Sequence, residues 1–295
     1  MQATQQPYGA NNLYSSEAPP AVSFLSDYGL RDEFVGVVHS VLQRLAPGVP
    51  VIDLAHEIAP QHLKAGALTL WRCAPWLADG AVVAVVDPGV GTSRRAVAVI
   101  PAERPGLLFI GPDNGLMLPA IDRLGGAAVA VELGPPERLY NTGPTFDGRD
   151  LFAPVAARWC RTEPIEAFGA QIDPATLQSP PPLLSKRERG GVVAEVTWVD
   201  RFGNIQVALS SEDLDSVGDS MTATFSDGEP VALRRVETFS ELGEDALGIL
   251  IDSSGLAAIV ANQSSAAQVL RVIPGHTVRL AKADDFQEPE ASCNL

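Results

Sequence analysis

VVAVVDPGVGTSRR, residues 82–95, runs from an apolar strand into a glycine turn and an arginine pair. Five consecutive apolar residues, 82–86, four of them valine, have the composition of a strand covered on both faces. Asp87 falls where that strand stops, and Pro88, Gly89 and Gly91 then force a turn whose backbone approaches a ligand closely. Arg94, seven positions beyond Asp87, folds back towards it from the start of the next apolar run, 96–100. On the residues alone this is either a structural turn closed by a salt bridge or a carboxylate–guanidinium pair displayed at a strand end.

Working outward towards the N-terminus, residues 51–54 and 21–25 read as two further short strands. The first of these, in chain order, ends at Ser26, Asp27, Tyr28 and Gly29. A helix follows it, expected to be capped by Asp32, with apolar positions Phe34, Val37, Val38, Val41, Leu42 and Leu45 on one stripe and a stop at Pro47 and Gly48. His39 lies off that stripe and is expected to be solvated. A second helix is expected over about 61–77. Residues 1–20 are rich in Gln, Asn, Ser and Pro without periodicity and read as a disordered leader.

Working outward in the other direction, a strand at 107–110 is followed by GPDNG, residues 111–115, and a short helix to Leu124. TFDGRD, residues 145–150, precedes a helix through Leu151, Val155, Ala156 and Trp159. Asp147 and Asp150 lie at its start, where carboxylates are electrostatically favoured, so helix capping accounts for either of them, and for Asp150 above all. Strands alternating with helices predict an α/β domain over 21–178, a mostly parallel sheet with flanking helices. Ligands bind such sheets beyond the carboxyl ends of the strands. Asp27, Asp87 and Asn114 each follow a strand, so the three are expected to share one crevice.

Pro, Ser, Lys, Arg and Gly dominate residues 179–191, which read as a linker. Beyond it the apolar period becomes two, with Val192, Ala194, Val196 and Trp198 on one face. Further strands near 221–225, 231–236, 247–251, 256–260 and 277–280 predict a smaller antiparallel β-barrel or sandwich over 192–283. The polar residues 284–295 read as a frayed tail.

The 295-residue length suits two domains, and the formal net charge of −15 disfavours nucleic acid while favouring a cationic small molecule. Three widely spaced cysteines fit a reducing cytoplasm rather than a disulfide framework. No run reaches the roughly 18 apolar residues of a membrane span, so no membrane partner is expected. The four histidines form no helical pair beside a carboxylate, so no metal site is expected. A nucleophile elbow, a P-loop lysine and a dinucleotide-binding glycine fingerprint are all missing. What remains is a carboxylate-rich crevice with one or two arginines, suited to a cationic substrate and an activated water.

The ordered series FLSDYG, DPGVGTSRR, GPDNG, TFDGRD, VDRFGN and DSSG closely resembles the S-adenosyl-L-methionine (SAM) hydrolases that form adenosine and methionine. These are also called SAM hydroxide adenosyltransferases and are related to fluorinase and chlorinase. The resemblance runs from about residue 21 to 281, and its motifs are specific for the superfamily rather than for the nucleophile. It implies a catalytic set of an aspartate, an arginine and a histidine around the attacking water. Here those positions are Asp87, Arg94 and, between Phe146 and Gly148, Asp147 in place of the histidine. It further implies that Asp27 binds the ribose hydroxyls, that Phe146 and Gly148 line the substrate site, and that Phe202 and Asn204 meet the adenine. Asp200 would pair with the methionine ammonium, Ser253 and Ser254 would hold its carboxylate, and Asn262 would complete the binding set.

The reaction so implied is SAM hydrolysis with no cofactor, in the cytoplasm, by a homotrimer whose active sites lie between subunits. The related halogenases have tyrosine where this chain has Asp87, and a carboxylate repels halide, which favours water as the nucleophile. Two alternatives stand beside it: a halide-dependent adenosyltransferase, and a non-catalytic SAM- or adenosine-binding protein.

Overall fold

The computed structural model describes residues 19–135, 143–188, 190–226, 228–244 and 246–283. The expected leader and tail lie outside these residues, apart from Pro19 and Pro20. The chain divides into two units, residues 1–181 and 182–295.

The first unit is a seven-stranded sheet with helices on both faces. Its elements are β1 (Ala21–Ser26), α1 (Phe34–Leu45), β2 (Val51–Ala55), α2 (Leu63–Cys73), β3 (Gly80–Val85), β4 (Ala96–Pro101), β5 (Leu107–Pro112), α3 (Leu118–Asp122), β6 (Ala127–Leu133), α4 (Ala153–Cys160) and β7 (Gly169–Ile172). The strand order is β2-β1-β3-β5-β4-β6-β7. Pairings among β2, β1, β3 and β5 are parallel, whereas β4 is antiparallel to both β5 and β6, and β7 to β6. Five of the seven strands therefore share one direction, the mostly parallel sheet that was expected.

Alternation along the strands explains the layers. Val22, Phe24, Ala81, Val83, Val85, Leu108 and Ile110 share one face with the buried residues of α1 and α4. α2 lies against the other face, where Gly66 closes on Val86 and Leu116. With β1 on one side, β5 on the other and helices above and below, β3 is buried at every residue, which is why its sequence lacks alternation.

Several local expectations are corrected. Asp32 does not cap α1; Glu33 occupies the cap position and makes no side-chain cap bond. α2 is shorter than 61–77, starting at Leu63 with His62 as its cap and continuing only as a single tight turn over Ala74–Trp76. The segment 179–191 is not all linker, because β8 (Ser185–Glu188) pairs with β9 (Gly191–Val199). SKRE has no apolar face to bury; its backbone supplies the pairing while its charges mark a sheet edge.

The second unit is a closed seven-stranded β-barrel, resolving the alternative of barrel or sandwich. Its strands are β9, β10 (Ile205–Val207), β11 (Ser220–Phe225), β12 (Val231–Arg235), β13 (Leu247–Ile251), β14 (Ala257–Ala261) and β15 (Thr277–Lys282). The order β10-β14-β13-β12-β11-β15-β9 closes through β9 back onto β10, and among the described residues β12 with β13 is the one parallel pairing. Two short helices, α5 (Ser211–Val217) and α6 (Ala266–Leu270), accompany the barrel, and its interior is apolar.

Candidate active site

Sheet order, more than any single motif, builds the site in the first unit. β1, β3 and β5 are parallel neighbours, so Asp27, Asp87 and Asn114 emerge at the same edge. β4 runs the opposite way, so its beginning lies at that edge and returns Arg94 to Asp87. Arg94 Nε donates to both Asp87 carboxylate oxygens, at 3.1 and 3.0 Å, and Nη2 makes an ion pair with Oδ2. The same Nη2 pairs with Asp147 Oδ2, joining residues 53 positions apart. All three side chains are largely withdrawn from solvent, with Asp87 5% exposed.

The turn between the two partners is tightly specified. Gly89 N donates to Asp87 Oδ1 at 3.2 Å, and Thr92 Oγ donates to the Gly89 carbonyl at 2.6 Å. Gly91 sits at φ +77°, a conformation that side chains with Cβ resist. Asn114 serves the frame rather than the crevice: its Nδ2 donates to the Val86 carbonyl at 2.8 Å and its Oδ1 accepts from Leu116 N at 3.1 Å. It thereby ties the end of β5 to the end of β3.

Asp147 stands at the start of a wide helical turn, Gly148–Phe152, that leads into α4. Its side chain makes no cap bond, so capping does not explain this carboxylate. Asp150 lies in the first turn of this segment, where a carboxylate was expected, and is buried and paired with its neighbour Arg149, whose Nε donates to it at 2.6 Å. Phe146 meets Tyr28 and Phe34 edge to face, with ring centroids 5.6 and 5.3 Å apart. Asp27 Oδ2 accepts from Gln61 N at 2.8 Å.

Electrostatics confirm how closely these groups gather. Burial alone would lower the Arg94 guanidinium, but the Asp87 and Asp147 carboxylates outweigh it and hold the group above its ordinary value. Tyr28, a residue with no functional signal in the sequence, is raised well above the usual phenol range by burial and then by Asp27, Asp87 and Asp147. It remains a neutral hydroxyl beside three carboxylates and one guanidinium, a pocket that is formally anionic.

Gly148 fits this packing because a Cβ there would overlap the Tyr28 hydroxyl. Gly148→Ala is expected to destabilise the fold by about 1–3 kcal/mol, the usual cost of overpacking, and to displace Asp147. Adding Tyr28→Phe, which removes the obstructing oxygen, should recover most of that loss in thermal denaturation. Equal losses with and without the hydroxyl would show that the two side chains are not in contact.

The second unit carries the remaining expected residues. Asp200, Phe202, Asn204 and Ser253 line one open groove of about 990 Å³, together with Glu237, Phe239 and Ser264. Phe202 is 78% exposed, an unusual position for a large ring and a ready stacking surface. Asp200 organises its own turn, accepting from Phe202 N at 2.8 Å, Asn204 N at 2.9 Å and Asn204 Nδ2 at 2.7 Å. Ser254 N donates to Asp252 at 2.8 Å, and Asn262 Nδ2 is spent on the Leu242 carbonyl at 2.8 Å. The Ser264 hydroxyl is buried without a hydrogen-bond partner among the described residues, which marks the groove wall as unsatisfied.

Residues 22–169 match the family model described as SAM hydroxide adenosyltransferase N-terminal domain, and residues 194–279 match the corresponding C-terminal domain. The chain is 42% identical over 262 residues to an (R)-S-adenosyl-L-methionine hydrolase of Salinispora tropica, covering 88% of this chain and 97% of that one. It is 38% identical over 277 residues to the protein of the same name from Thermus thermophilus, covering 88% and 98%. A crystal structure of an uncharacterised conserved protein from Thermotoga maritima superposes with a TM-score of 0.79 at 29% identity, covering 88% of this chain and all of that one. Two family domains matched in order, with near full-length relatives well above 30% identity, place this chain in the SAM hydroxide adenosyltransferase family.

Proposed function

We propose that this protein hydrolyses S-adenosyl-L-methionine to adenosine and L-methionine. The observation that carries the reading is Arg94 held between Asp87 and Asp147 at the carboxyl edge of the sheet. Water or hydroxide attacks the ribose 5′ carbon in line with the sulfonium. Methionine departs as a neutral thioether, so no general acid is required and no cofactor takes part. The whole demand falls on making and aligning the nucleophile. Arg94 stabilises hydroxide character, and the pair of carboxylates that holds it orients the water and provides the base that receives its proton.

In this reading the anionic pocket attracts the sulfonium cation, and Asp27 accepts hydrogen bonds from the vicinal ribose hydroxyls. Phe146 and Gly148 shape the wall beside the nucleophile. Phe202 and Asn204 receive the adenine, Asp200 the ammonium, and Ser253 and Ser254 the methionine carboxylate, while Asn262 completes the binding set. The unsatisfied Ser264 hydroxyl in the same groove supports a polar ligand there. The family resemblance further supports a homotrimer with active sites between subunits, and light scattering that returned a monomer mass would end that part of the reading. Free thiols at Cys73 and Cys160 fit a cytoplasmic setting, and among the described residues no helix is long and apolar enough to cross a membrane.

The test is to incubate the protein with SAM, with and without chloride or fluoride, and to identify the nucleoside released. Adenosine is expected in every case. A halide about 4 Å from a carboxylate meets a repulsion of roughly 4 kcal/mol at an effective dielectric of 20, a strong bias against 5′-halogenated product. Halogenated nucleoside as the main product, or SAM binding without turnover, would overturn the proposal.

A further inference from the structure

A second cluster of chemically active side chains lies behind the Asp27 loop. His39 from α1, Asp53 from β2 and His56 just after β2 converge, with both imidazole Nε2 atoms on one oxygen, Asp53 Oδ1, at 2.8 and 2.9 Å. One donor atom from each residue lies within 4.8 Å of the other two. His39, expected to be solvated, is partly exposed but also paired, and the cluster occurs without the helical His pair by which a metal site would be sought in sequence.

We propose that His39, Asp53 and His56 form a binding site for a divalent transition-metal ion, zinc being the best match. Two imidazoles and one carboxylate are ligands of the type zinc takes, with a fourth position left to water. Asp53 and His39 have side chains 44% and 35% exposed, so solvent reaches the cluster from one side, while His56 anchors it at 3%. With an ion bound at Nε2, His56 Nδ1, 2.7 Å from Ser26 Oγ, would carry the ring proton and donate it to the serine. Ser26 Oγ also accepts from Tyr28 N at 3.3 Å, using its second lone pair.

The Asp53 oxygen needs only a small separation from each imidazole nitrogen. Tetrahedral ligands at zinc distances stand about 3.3 Å apart, so the two nitrogens must each move about 0.5 Å from the Asp53 oxygen. The partly exposed Asp53 and His39 have room for that movement. The negative charge of the protein raises the local cation concentration.

The site also bears on the Asp27 loop, although the proposed hydrolysis does not use it. Ser26 immediately precedes Asp27, Gly29 N donates to the His56 carbonyl at 2.8 Å, and the His56 ring packs edge to face on Phe24 at 4.6 Å. An ion there would fasten α1, β2 and this loop together.

The experiment is calorimetric titration of chelator-treated full-length protein with zinc chloride alone, paired with cobalt(II) absorption and thermal denaturation. One equivalent per chain, tetrahedral cobalt bands and a raised melting temperature are expected. His39→Ala and Asp53→Asn, both at accessible positions, should each weaken zinc binding at least tenfold, while His276→Ala in the second unit should leave it unchanged. No saturable binding by the wild type, or binding undiminished in both cluster variants, would overturn the proposal. The cobalt spectrum tests the wild type directly should either variant fold poorly.

Discussion

Arg94→Ala is expected to lower adenosine formation by about 10²- to 10³-fold, the loss typical of removing a preorganised donor from a developing negative charge. The guanidinium is the only cation paired with Asp87 and Asp147 among the described residues. Without it two carboxylates face one another and any hydroxide between them is repelled from both sides. Stability should fall as well, by about 3–5 kcal/mol, because Asp87 is left as a buried charge without its partner. Arg94→Lys separates the two effects. Lysine keeps the charge, and so much of the stability, but cannot reproduce the fork in which Nε spans both Asp87 oxygens while Nη2 reaches Asp147. Its kcat should stay well below wild type while its melting temperature recovers. An alanine variant that is folded and within tenfold of wild-type kcat would remove Arg94 from the mechanism.

The apolar run that becomes β3 and the Pro-Gly turn after it were legible in sequence because central parallel strands and left-handed turns leave few alternatives for composition. The crevice of Asp27 and Asp87 followed from placing each just past a strand. Strand order was not legible. Nothing in residues 96–101 says that β4 runs antiparallel, yet that reversal is what delivers Arg94 to the crevice. Position alone makes Asn114 a crevice residue, whereas its amide chemistry makes it a backbone brace.

The elements least visible in the sequence have weak signals for physical reasons. β8 is four polar residues paired through backbone alone, and β10 is only three residues long. α5 did carry a signal, the capping box of Ser210 and Asp213, which a search for Ser-x-x-Asp would have found. Tyr28 was visible inside FLSDYG, but its partners Gly148 and Asp147 are over a hundred positions away and only the fold brings them together. The same holds for His39 and His56, whose common partner is a strand residue rather than a helical neighbour.

The division of labour between the two carboxylates is the remaining mechanistic question, and their hydrogen bonds distinguish them. Asp87 accepts from Arg94 Nε, Arg94 Nη2 and Gly89 N, so most of its lone-pair capacity is committed to holding the guanidinium and the turn. Asp147 accepts only from Arg94 Nη2, through Oδ2, leaving Oδ1 without a partner among the described residues. Asp147 is therefore the carboxylate with an oxygen to offer the water, and Asp87 the one that fixes Arg94. Asp147→Asn, which keeps the shape but removes the basic oxygen, is expected to reduce kcat by about 10²- to 10⁴-fold, with KM for SAM changed only a few-fold. Its melting temperature should stay near wild type, since the Arg94 pair with Asp87 persists. Asp87→Asn should instead lower the melting temperature and kcat together. Asp147→His places the imidazole that the family resemblance implies for this position opposite Arg94 and should retain far more activity than the asparagine variant, because a neutral imidazole nitrogen also accepts a proton. Wild-type kcat in Asp147→Asn would shift the base to Asp87 and leave Asp147 as a guide for the guanidinium.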